Sequence, residues 1–122
     1  MHTAFIVLSI LLALEMAVIG APKVVQLNAV RISAEHLGVS VTLDRTIGVA
    51  QMAAAAGLLL GIAFPALSVL TGAAVCLLMC GAVGYHIKAH DKLTAMLPAV
   101  VTAAVAIVIV VLAAGTATTT NL

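Results

Sequence analysis

Charge is what this sequence has least of. Asp, Glu, Lys and Arg make up 7% of 122 residues, tryptophan is absent, and there is one tyrosine. A soluble domain normally carries about a quarter of its residues as charges, so a free-standing water-soluble fold is excluded. Five Lys and Arg in all leave no basic face for nucleic acid. The two cysteines, Cys76 and Cys80, are not spaced as Cys-x-x-Cys. The chain also shows no phosphate-binding glycine loop, no haem motif, no His-Glu-x-x-His and no nucleophile set beside its base. No catalytic, cofactor-binding or metal-ligating residues are therefore expected.

What is present is aliphatic. Hydrophobic residues are 65% of the chain and the mean hydropathy is +1.34. They gather into runs at residues 3–21, 46–64, 66–85 and 94–115, each close to the roughly 20 residues that cross the hydrocarbon of a bilayer. Alternation with period two is missing, so barrel strands are not indicated. The expected fold is all-α and polytopic. One transmembrane domain over residues 1–122 forms a four-helix bundle, with an amphipathic interfacial helix at about 24–37 between the first two spans. "MHTAF" has no basic residue and Glu15 interrupts the first run, so that run reads as a retained helix rather than a signal peptide.

Lys23, Arg31 and Arg45 lie between the first and second spans, and Lys88 and Lys92 between the third and fourth. The positive-inside rule then predicts both termini outside. In "KVVQLNAVRISAEHLG" the residues Leu27, Val30, Ala34 and Leu37 share one helical face, Arg31 and Glu35 stand at i and i+4, and Gly38 suits a helix terminator. The following "VSVTLD" reads as extended, with Asp44 as an N-cap for the second span.

Gly72, Cys76, Cys80 and Gly84 recur every four residues and form a stripe of small side chains on the third span. Ala53, Gly57 and Gly61 form another on the second. Such stripes allow close helix contact in lipid, so spans two and three are expected to pack as an antiparallel hairpin. The cysteines read chiefly as part of that stripe, because an i,i+4 disulfide strains a straight helix. His86 and His90, followed by Asp91, form a candidate polar site at the interface, with headgroup contact or hydrogen bonding favoured over a metal and His36 able to approach. Glu15 needs a partner, since a carboxylate within a span costs about 2.5 kcal/mol or more. Gln51, Lys23, Arg31 and His86 are the options, and Glu15 with Gln51 is the candidate intramembrane polar site.

The run "RTIGVAQMAAAAGLLLGIAFPAL" followed by "LLMCGAVGYHIKAHDKLTAMLPAVV" resembles the DoxX-like family of small four-helix bacterial membrane proteins. Ile47 and Gly48, the Gly-Leu-Leu-Leu-Gly run with Pro65, and Gly81, Ala82, His86 and Asp91 carry the resemblance, with Lys23 in support. Where the family often has Glu in the second span, this chain has Gln51. The resemblance implies a place in the bacterial inner membrane and a role that is accessory or linked to thiol and sulfur redox systems.

Three functions are compatible with these residues. The first, and the one expected, is a non-catalytic accessory or assembly subunit of a larger envelope complex, one that moves lipids or hydrophobic substrates; its partners would be membrane lipids and other integral membrane proteins. In the fourth span Ala95, Ala99 and Ala103 form a small-residue row that suits such a contact. The second is a redox partner using Cys76 and Cys80. The third is a small-ligand carrier with Glu15 and Gln51 lining a polar cavity.

Overall fold

The computed structural model describes residues 2–120, with side chains through residue 115. The described chain is helical: α1 (His2–Val25), α2 (Asn28–Leu37), α3 (Val41–Leu60), α4 (Pro65–Lys88) and α5 (Leu93–Thr120). α1, α3, α4 and α5 are long and apolar enough to cross a membrane, and α2 is the short helix between the first two. The protein is a multi-pass membrane protein built as a four-helix bundle.

The ends of these helices follow from local chemistry. Ser40 caps α3 by accepting from Leu43 N at 3.1 Å, so the helix starts before the apolar run does. Asp44 is thus not the N-cap expected from sequence; it lies one turn inside α3, where it is buried. Gly38 ends α2 at φ 73°, its N–H bonding back to Glu35 O at 3.1 Å, as its position after Leu37 predicts. Pro65 opens α4 at a position where its missing N–H costs nothing.

Two tight helix pairs make the bundle, α1 with α3 and α4 with α5, and the contacts between α3 and α4 are sparser. A glycine pair sets the first. A Cβ on Gly48 would sit 2.7 Å from Lys23 Cβ and 2.9 Å from Gly20 O, so the two backbones meet where side chains would hold them apart. The second pair is set by Gly72, whose face meets Val110 and Ala106 O of α5. Phe5, Leu12, Met16, Leu58, Val75 and Ile109 fill the interior. Leu70, Leu77 and Val111 face outward, each more than half exposed, as expected where lipid replaces water around the bundle.

The small-residue stripes are therefore used differently from the expected hairpin. Gly57 and Gly61 do meet α4, at Thr71 and Ser68 beside the turn. Gly72 and Cys76 instead pack on α5, with Cys76 Sγ 3.6 Å from Ala103 O. Cys80 and Ala53 are exposed, and a Cβ on Gly84 would meet nothing within 4 Å. The reason is geometric: the glycines of α3 meet α4 beside the turn, α5 takes Gly72 and Cys76, and the far end of the stripe is left open. In α5 itself Ala99 is buried and Ala103 half-buried, so that part of the row serves the bundle rather than an outside partner, while Ala95 is exposed.

Candidate functional site

At the end of the bundle where all five basic residues cluster, α3 and α4 stand apart and leave a cleft of about 200 Å³. Lys23 of α1 stands at its side; Asp44, Ile47 and Gln51 come from α3; Leu78, Gly81 and Tyr85 from α4; Leu37 and Val39 cover it from α2 and the segment after it. Its lining is mostly apolar, with Lys23 and Asp44 at the end beside α2, Gln51 two turns further along α3, and the Tyr85 hydroxyl from α4. A smaller apolar hollow of about 80 Å³ lies further along the same two helices, between Ala50, Ala54, Ala74 and Val75. Leu78 borders both.

The polar end is held by Gln26. This residue closes α1 in a left-handed conformation, φ 56°, which costs a non-glycine residue roughly 1 kcal/mol. The conformation is fixed because its amide Nε2 donates to Lys23 O at 2.7 Å and to Asp44 Oδ2 at 2.8 Å. Asp44 is 6% exposed, and this bond gives the buried carboxylate a partner. Lys23 faces the same space and feels the charge of Asp44, yet among the described residues its ammonium has no hydrogen-bond or ion-pair partner.

Gln51 is the feature that marks this cleft as a site. It is 2% exposed, it lines the cleft, and among the described residues its Oε1 has no hydrogen-bond partner. A buried polar group left unpaired costs about 1–3 kcal/mol, more where no water can reach it. Ser9 Oγ, Gln26 Oε1 and Ser68 Oγ are also buried and unpaired, but none of these residues lines the cleft.

The other half of the expected intramembrane site lies elsewhere. Glu15, half-buried, accepts from Thr102 Oγ1 at 2.5 Å, joining α1 to α5. No hydrogen bond links it to Gln51, Lys23, Arg31 or His86, so the options weighed from sequence give way to Thr102. That residue had a signal of its own: it is the lone polar side chain between 95 and 115.

Above the cleft the interfacial polar group is reassembled. His86 Nδ1 and His36 Nε2 each lie 2.6 Å from one carboxylate oxygen of Asp91, an arrangement in which both rings donate. The bond from His36, then that from His86, holds the Asp91 carboxyl below its usual range. His90 does not share this cluster, because α4 stops at Lys88 and His90 turns away at φ 59°, exposed. The bridge ties α2, which otherwise packs lightly, to the α4–α5 connection. Among the described residues no three His, Cys, Asp or Glu side chains are grouped to hold a metal. The i,i+4 pair of Arg31 and Glu35 makes no ion pair among the described residues, and both are exposed.

A profile of the DoxX-like family matches residues 7–119, nearly the whole chain. The chain belongs to that family. The match takes in α1 as well as the three later spans, so the cleft of this DoxX-like protein, from Lys23 to Tyr85, lies within the shared region. Neither the curated proteins nor the solved structures include a significant match.

Proposed function

We propose that this DoxX-like protein is a non-catalytic subunit of the bacterial inner membrane that holds a hydrophobic molecule by its polar end, in the service of a larger envelope complex handling lipids or similar substrates. The observation that carries this reading is Gln51, buried and unpaired in a cleft whose lining is mostly apolar. An amide is neither acid, base nor nucleophile, so the group most in need of a partner can bind but not react. The positive-inside rule favours termini outside and the cleft at the cytoplasmic face. Contact with a partner subunit would use the exposed aliphatic faces of α4 and α5, such as Leu70, Leu77 and Val111.

The redox reading draws less support. Cys76 is engaged against Ala103 O while Cys80 faces outward, exposed.

Purification of the tagged protein from bacterial membranes in mild detergent, with mass spectrometry of both proteins and small molecules, tests the proposal. The expected result is an integral membrane partner in fixed ratio and a bound hydrophobic molecule that Gln51→Leu loses. Recovery of the protein alone, with nothing bound, would overturn it.

A further inference from the structure

Resting on the reading of the cleft as a binding site, we infer that its ligand is a single-chain anionic amphiphile whose head also donates a hydrogen bond, of the class of alkyl phosphate monoesters. Three observations define this chemistry. Lys23 brings an ammonium to the cleft with no hydrogen-bond or ion-pair partner among the described residues, and an anionic head would supply one. Gln51 Oε1, buried and unpaired, calls for a donor, which a monoester P–OH provides. A separate apolar hollow beside Ala54 and Val75 lies past Leu78, away from the charged end and between the same two helices.

Charge decides among heads. Asp44 already accepts from Gln26, and a second anion beside it is tolerable only if Lys23 is engaged. A cationic head would put a second positive charge beside Lys23, whose opposite neighbour, Asp44, already accepts from Gln26. Size favours one chain over two: the cleft of about 200 Å³ and the separate hollow of about 80 Å³ leave room for a head and the first part of one chain, whose end lies in the lipid. Sites for drug-sized ligands begin at roughly 300 Å³.

The test uses the full protein in nanodiscs of phosphatidylcholine bounded by a non-aromatic polymer. Tyr85, the single tyrosine in a chain without tryptophan, lines the cleft and reports on it by its own emission. Dodecyl phosphate is titrated against dodecylamine, uncharged monolaurin, inorganic phosphate and discs doped with phosphatidylglycerol. The expected result is saturable binding of dodecyl phosphate, weakened tenfold or more by Lys23→Gln and restored by Lys23→Arg, with monolaurin affinity changed less than twofold by either. Gln51→Leu weakens both dodecyl phosphate and monolaurin. Tighter binding of dodecylamine, or equal response to inorganic phosphate or to phosphatidylglycerol, would overturn the ligand class while leaving the cleft a binding site. If no amphiphile changes Tyr85 emission, the reading of the cleft itself falls.

Discussion

Thr102 and Glu15, 87 residues apart in sequence, share a 2.5 Å hydrogen bond between the outer helices of the two pairs. The Thr102 hydroxyl, 3% exposed, gives the half-buried carboxylate a donor inside the bundle. Side-chain hydrogen bonds between membrane helices contribute about 0.6 kcal/mol on average and up to about 1.7. A double-mutant cycle of Glu15→Ala and Thr102→Val, read by unfolding in mixed micelles, is expected to return a coupling within that range. Strict additivity would mean that the two residues do not support each other.

Glycine positions separate into crowded and open ones. Gly48→Ala would press a methyl onto Lys23 Cβ and Gly20 O, neither of which can swing away, and a loss of roughly 1–3 kcal/mol is expected. Gly84→Ala meets nothing within 4 Å and gains helix propensity, so a stabilisation of up to about 1 kcal/mol is expected. Thermal midpoints in one detergent compare the two. Equal effects would contradict the close approach of α1 and α3.

The Asp91 bridge gives a pH dependence of definite sign. Both histidines favour the ionised carboxyl and lower its pKa in the folded protein, His36 foremost. The bridge's contribution is fully present above the ordinary carboxylate value near 4, and it is lost as pH falls through the lowered folded value. Hydrogen exchange of the α2 amides, corrected for intrinsic rate, should quicken as pH falls below about 4. Asp91→Asn should quicken it several-fold at neutral pH. Unchanged α2 protection in that variant would show that the helix does not depend on the bridge.

Cys80 is exposed, and Cys76 packs against the core with its Sγ 3.6 Å from Ala103 O. Cys80→Ser is therefore expected to shift the thermal midpoint by less than the spread between replicate melts, whereas Cys76→Ser, which puts a stronger donor on Ala103 O, should hold or slightly raise it. An intramolecular disulfide formed under mild oxidant, detected by mass, would contradict this account of the pair.

The spans were legible from sequence because hydropathy over about 20 residues is decided by the solvent alone. The fold class, the short helix between the first two spans and the Gly38 terminator followed from the same kind of local signal. Helix pairing was not legible, since small-residue stripes on several helices can mate in more than one way; Gly20 and Gly48 set the α1–α3 contact from opposite sides of the intervening helix. The candidate site was half legible. Gln51 stood out as a polar residue in a span, but Lys23 read as a topology signal and an option for Glu15, and Gln26 fell within the amphipathic segment between the first two spans. Asp44 matched an N-cap pattern that Ser40 fulfils, and only the 18-residue return of the chain brings it to Gln26.

The central claim is that the polar end of the α3–α4 cleft holds a molecule whose chain runs between those helices. Photolabelling in nanodiscs, with a dodecyl phosphate that carries a diazirine on one of the first carbons of its chain, reads this directly. The account predicts adducts on Ala50, Ala54, Ala74 and Val75, abolished by Gln51→Leu. Adducts spread over the lipid-facing Leu70 and Val111, or gathered in the open groove beside Cys76 and Cys80, and indifferent to Gln51, would contradict it.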